Sequence, residues 1–165
     1  MLLNHQAALD YVLSHPDYFG ELKVESILEI HRFLTKGLGI PNKIRSGRVG
    51  ITGTNYKPLS DARQIQKALQ DVCDLINFKQ NILEKALITL LLIAYIQPFE
   101  DGNKRTARIL CNALLLANKY CPISFRTVDP DDYRYATLLF FEQNSLPSFK
   151  KMFIEQFEFS TVNYF

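Results

Sequence analysis

A chain of 165 residues, 47% hydrophobic and 22% charged, has the length and composition of one soluble globular domain with a single core. Its 19 basic and 17 acidic side chains leave a net charge of +2, which excludes the strongly basic surface of a nonspecific nucleic-acid binder. Three cysteines, Cys73, Cys111 and Cys121, cannot all pair and show no zinc-type spacing, so they read as reduced thiols in a cytoplasmic setting.

The opening "MLLNHQAALDYVLSHPDYF" lacks a basic segment followed by a long apolar one, and no secretion signal is expected. Ala8, Leu9, Val12 and Leu13 recur at helical spacing until Pro16 ends the first helix. Ile27, Ile30, Phe33 and Leu34 mark a second, closed by Gly37 and Gly39.

Between Arg48 and Pro58 the pattern changes. Val49 and Ile51 alternate, Gly53 offers a turn, and Thr54 and Tyr56 suit an extended return, which predicts a short β-hairpin. Ser60 or Asp61 then caps a third helix carrying Ile65, Leu69, Val72 and Ile76.

The run "ALITLLLIAYI", Ala86 to Ile96, falls short of the roughly 20 residues of a membrane span and reads as a buried helix. A fifth helix opens near Gly102 and Asn103. A sixth opens at "DPDDY", where Asp129 caps, Pro130 suits the first position, and Asp131 and Asp132 favour the positive end of the dipole. The seventh starts near Pro147 with Phe149, Phe153 and Phe157. No repeat or linker interrupts the chain, so residues 1–165 are expected to form one all-α domain of about seven helices with one hairpin.

The turn between the fourth and fifth helices, "YIQPFEDGNKRTAR", concentrates the chemistry. Pro98 stops one helix and Gly102 permits a reversal into the next. Free amides near Gly102, Asn103 and Lys104, with the helix dipole behind them, make an anion site, and Arg105 and Arg108 lie three apart beside it. Asp101 would repel a bare anion but suits Mg²⁺ bridging phosphate oxygens. Taken alone, a Gly-Asn helix start with two basic residues is also an ordinary solvated terminus.

The whole string decides between these readings. "PFEDGNKRTAR", Pro98 to Arg108, resembles the Fic family signature His-Pro-Phe-x-Asp/Glu-Gly-Asn-Gly/Lys-Arg with a second arginine three residues on, and every position conforms. "LEIHRFLTKG" at 28–37 is similar to the family's early helix, and "IRSGRVGITGTNYKPL" at 44–59 to its flap hairpin. The resemblance implies an all-α Fic core with one short β-hairpin flap at about 48–58. It implies transfer of AMP from ATP to a Ser, Thr or Tyr hydroxyl of a target protein, with Mg²⁺ as cofactor.

On that resemblance Asp101 holds Mg²⁺, and Gly102, Asn103 and Lys104 cradle phosphate. Asn103 also touches phosphate, Arg105 and Arg108 hold the leaving phosphates, and buried Phe99 anchors the loop. Ile51, Thr52, Gly53 and Thr54 dock an extended target segment. Lys104 is also a feature of related Doc kinases, but Gly102 and Arg108 favour AMP transfer. No partner among nucleic acids or membranes is implied.

The family's catalytic histidine falls on Gln97. A carboxamide accepts no proton at neutral pH, and loss of a general base typically costs about 10²- to 10⁴-fold in rate. The chain is therefore expected to keep the nucleotide site with impaired or abolished chemistry, the alternative being an inactive nucleotide- or protein-binding module. His5, His15 and His31 lie outside the signature and read as structural or solvated. The family's inhibitory Ser/Thr-x-x-x-Glu-Gly/Asn motif is missing from the string, which leaves a removed segment, an antitoxin-like partner in trans, or no inhibitor. "LLFFEQN", Leu138 to Asn144, departs from the small, polar stretch expected near the adenine, so Phe140 and Phe141 read as core.

Overall fold

The computed structural model describes residues 2–164. Seven α-helices run in order: α1 Leu2–Ser14, α2 Val24–Thr35, α3 Ala62–Phe78, α4 Ile82–Ile96, α5 Asn103–Ala117, α6 Pro130–Gln143 and α7 Pro147–Tyr164. A 3₁₀ turn, Pro16–Phe19, follows α1.

The helix starts follow from local side-chain chemistry. The Asp61 carboxylate accepts from Arg63 N and Gln64 N at 3.0 Å each, and Asp129 accepts from Asp131 N at 2.8 Å. Asn81 caps α4 in the same way, accepting from Leu83 N at 2.9 Å. Such caps satisfy amides that have no partner inside the helix and are typically worth about 1 kcal/mol each.

Helices α4 and α5 form the central pair, with α1 and α2 against α5, α3 against α4, and α6 beside α7. The fourth helix is apolar on most sides because it is covered on most sides: Ala86, Leu87, Leu90, Leu91, Ile93, Ala94 and Ile96 are all buried. From α5, Ala107, Leu110, Cys111 and Leu114 point into the same core. Full burial of one such large side chain contributes about 1.5–3 kcal/mol, so this pair is a rigid platform for the loop that joins it. In α1, Ala8 and Val12 are inside as their spacing predicts, whereas Leu13 faces out. Phe141 is buried and Phe140 packs against the core, both edge-on to Tyr95.

The expected β-hairpin at 48–58 is corrected by the structure. No strand occurs among the described residues, and this segment is an irregular loop with a tight turn at Thr52–Gly53. Its polar groups go to side chains rather than to a facing strand. Glu142 on α6 accepts from Thr54 Oγ1 at 2.6 Å and from Asn55 N at 3.3 Å, and Tyr56 N donates to Thr54 Oγ1 at 3.0 Å. The Tyr56 hydroxyl donates to Tyr95 O at 3.0 Å, while Gly47 N donates to Ser60 O at the loop's base. A two-stranded ribbon is marginal in water, and anchors to α4 and α6 outcompete a ladder here.

None of the described helices is long and apolar enough to cross a membrane. All three cysteines are free and buried.

Candidate active site

The α4–α5 loop begins with strain. Gln97, the C-terminal cap of α4, has φ 51° and ψ 60°, a left-handed conformation uncommon for a residue with a side chain. Arg45 stabilises it. This arginine is 1% exposed, and its Nε donates to Gln97 O at 2.6 Å, its Nη1 to Gly47 O at 2.5 Å and its Nη2 to Ile96 O at 3.4 Å. Burial pulls its guanidinium pKa down from the ordinary value. Carbonyls at the negative end of α4 take the place of a carboxylate partner.

Asn103 ties the loop from the other end. Its Oδ1 accepts from Phe99 N at 2.9 Å, and its Nδ2 donates to Phe99 O at 2.9 Å and to Gln97 Oε1 at 3.0 Å. The Gln97 Nε2 donates back to Ala94 O. Both ends of the Gln97 carboxamide are thereby engaged, and the Asn103 side chain is committed to the loop.

Below the loop lies His31, fully buried on α2. Its ring stacks on Phe99 with centroids 3.6 Å apart and 12° between planes. Its Nε2 donates to Asp101 O at 3.0 Å, and its Nδ1 lies 3.0 Å from Asn42 Oδ1. Gly102 sits over the same ring with φ 85°, where a Cβ would meet His31 Cδ2 at 3.4 Å. A side chain at 102 would be strained by this backbone conformation, while its Cβ would only touch the imidazole.

These supports present residues 97–105 to a cleft of about 600 Å³. One wall is Gln97, Glu100, Asp101, Gly102, Asn103, Lys104 and Arg105; Gly50, Ile51 and Thr52 overhang it; Tyr133, Arg134, Thr137 and Leu138 of α6 close it. The first amides of α5 have no partner within the helix and open toward this space. Asp101 Oδ1 accepts from Gly102 N at 2.6 Å, and its Oδ2 pairs with Arg105 Nη2 at 3.0 Å. The Arg105 Nη1 is buried without a partner. Burial, then the charges of Arg108 and Arg134, hold the Lys104 ammonium below the usual lysine range.

The sequence-derived residues do not all meet. Gln97, Asp101 to Arg105, Ile51 and Thr52 share the cleft. Arg108 is not in the cleft lining; its guanidinium lies over aromatic rings instead, 4.7 Å from the Tyr133 ring centroid and 5.8 Å from that of Phe125. It lines a second, apolar groove with Leu9, Ile109 and Leu116. Thr54 faces away from the cleft beside Tyr56. Arg45, His31, Arg134 and Glu142 complete the surroundings. Burial of a lone arginine or histidine has no local sequence signal, although His31 and Arg45 both fall in the stretches similar to the family's early helix and flap.

A model of the Fic/DOC family matches residues 21–115, which includes α2, the loop over the cleft, α4 and most of α5. The chain belongs to this family. Among curated relatives, this Fic chain is similar to protein adenylyltransferase fic-1 of Caenorhabditis elegans, at 29% identity over 125 residues covering 72% of the chain and 24% of the relative. It is 31% identical over 140 residues to protein adenylyltransferase Fic of Nematostella vectensis, covering 80% and 32%. The chain thus spans about a quarter to a third of these relatives.

The solved C. elegans Fic-1 structure superposes with a TM-score of 0.74 at 24% identity, over 95% of this chain and 48% of that one. BepC of Bartonella tribocorum, solved with bound AMPPNP, superposes with a TM-score of 0.69 at 15% identity, over 93% and 85%. Both show that the helical fold is shared.

Proposed function

We propose that this chain is a Fic-type protein adenylyltransferase domain, acting on ATP and on a Ser, Thr or Tyr hydroxyl of a target protein, in which Gln97 impairs or abolishes the chemistry. The observation that carries the reading is the convergence of Gln97, Asp101 and the free amides of α5 on one wall of a single cleft.

In the proposed reaction the target oxygen attacks the α-phosphorus of ATP, the bond to the β-phosphate oxygen breaks, and pyrophosphate leaves. Backbone N–H groups at Asn103 and Lys104 cradle the phosphates, joined by that of Gly102 once it leaves Asp101 Oδ1, and the fixed dipoles stabilise developing negative charge. Lys104 and Arg105 add charge-assisted hydrogen bonds. Arg108 joins them only after leaving the Tyr133 ring. Ile51 and Thr52 overhang the cleft, and with Gly53 and Thr54 they form the loop that meets the target segment.

The residues present fit a magnesium ion that arrives with the nucleotide. No cluster of three potential ligands exists among the described residues, but Mg²⁺ commonly takes only one or two carboxylates and completes its shell with phosphate oxygens and water. Asp101 would hold it, exchanging Arg105 for the ion, with Glu100 beside it in the cleft. The ion supplies charge neutralisation of the phosphates.

The hydroxyl proton lacks an acceptor. The Gln97 amide takes no proton near neutrality, and both its ends are already bonded, Oε1 to Asn103 and Nε2 to Ala94. That double engagement also favours the second reading, a catalytically silent module that binds nucleotide or a protein partner. Arg108, outside the cleft and exposed, is the residue an inhibitory segment in trans would pair with.

Thermal denaturation with ATP and Mg²⁺ tests the site itself. The parent is expected to shift upward, and Arg105→Ala to shift less. Absence of any shift in the parent would remove nucleotide binding from both readings.

A further inference from the structure

We infer that Arg134 of α6 binds the polyphosphate of the nucleotide from the wall facing the 97–105 loop. This rests on the nucleotide reading above, and it concerns a residue beyond the segment 21–115 that the family model matches.

Arg134 lines the cleft opposite Lys104 and Arg105. None of the ion pairs among the described residues uses Arg134 or Lys104. Of the two carboxylates in the cleft wall, Asp101 is already paired with Arg105, whose Nη1 remains buried and unpartnered. The Lys104 ammonium is held below the usual lysine range first by burial and only then by the charges of Arg108 and of Arg134, so Arg134 stands close enough to Lys104 for the two cations to repel. Cations that crowd one concave space without enough carboxylates are matched by a multiply charged anion, and a guanidinium fork suits phosphate oxygens in pairs.

The arginine is also positioned. A Cβ on Gly53, where φ is 87°, would lie 2.3 Å from Arg134 Nη2, so the guanidinium rests against the bare backbone of the turn. Two helical turns along α6, Glu142 holds the next residues of the same loop through Thr54 Oγ1 and Asn55 N. The loop and α6 together fix the arginine at the cleft mouth without using its charge.

Calorimetric titration of the full chain with pyrophosphate, ATP and AMP in magnesium buffer tests the assignment, using the parent, Arg134→Gln, Arg134→Lys and Glu142→Gln. Arg134 is exposed and its replacement leaves the core intact, which far-UV circular dichroism checks. Loss of a charge-assisted contact is expected to raise the Kd of Arg134→Gln for pyrophosphate and ATP by about 10-fold or more, with lysine restoring part of it. AMP should change far less, and Glu142→Gln should keep pyrophosphate binding. Equal loss for AMP would assign the arginine to the nucleoside end, and equal loss in Glu142→Gln would make it a loop anchor; either overturns the inference. Unchanged binding in Arg134→Gln overturns it alone, whereas a parent that binds neither ATP nor pyrophosphate overturns the nucleotide reading with it.

Discussion

The side chain of Asn103 donates to that of Gln97 at 3.0 Å while its two amide atoms bracket the backbone of Phe99. One residue at the start of α5 therefore fixes the residue that ends α4. Replacing Asn103 with alanine leaves Phe99 N and O without their buried partners. Each unsatisfied group costs about 1–3 kcal/mol, so with two of them Asn103→Ala is expected to lose roughly 2–6 kcal/mol in urea denaturation. Loss below 1 kcal/mol would mean the loop is held by Arg45 and His31 alone.

His31 supports the same loop from beneath. His31→Phe keeps an aromatic ring against Phe99 but removes the donor to Asp101 O. The expected cost is about 1–3 kcal/mol of stability for one unsatisfied buried acceptor. The Mg²⁺ dependence of ATP binding should also weaken, because the Asp101 backbone is released. A variant with lowered stability and an unaltered Mg²⁺ response would limit His31 to packing.

Glu142 tethers the 52–55 turn from an exposed position. Glu142→Ala is expected to change global stability by less than about 0.5 kcal/mol, as exposed surface substitutions usually do. Amide exchange at Asn55 should accelerate nonetheless. Unchanged protection there would show that the loop is held by Tyr56 and Gly47 instead.

Burial pushes the Cys73 and Cys111 thiols up to about 12, with the charges of Asp74 and Glu25 adding to the effect at Cys73. In the native protein both are expected to resist thiol reagents at pH 8 and to react after unfolding. The sign of the linkage follows: these thiols stay protonated in the fold and ionise in the unfolded chain above its ordinary value near 9. Their stabilising contribution is full below that pH and declines as pH rises from about 9 to about 12. Cysteine-to-alanine variants should therefore show a flatter alkaline loss in urea titrations than the parent.

Much of the helical scaffold is legible in the sequence because its signals are local. Asp61, Asp129 with Pro130, Gly102, and the apolar spacing along α2 and α3 each act within a turn or two. The cleft loop is legible for the same reason, since proline, glycine and the charges around them are contiguous. The segment 48–58 is different. Alternating Val49 and Ile51 with Gly53 describe a hairpin and an anchored loop equally well, and the deciding partners, Glu142 and Tyr95, are far away in the chain. Distance in sequence likewise hides Arg45 under Gln97 and Arg134 across from Lys104. The position of Arg108 depends on where α6 places Tyr133, which no local pattern encodes.

Transfer of labelled AMP from ATP with Mg²⁺, onto the protein itself and onto proteins of a cell lysate, tests the central claim most directly when the parent is compared with Gln97→His. Strong labelling by the histidine variant and little or none by the parent is the predicted result, since it would mark an assembled site that lacks only its proton acceptor. Nucleotide binding by both proteins with labelling by neither would contradict the transferase reading and leave a binding module.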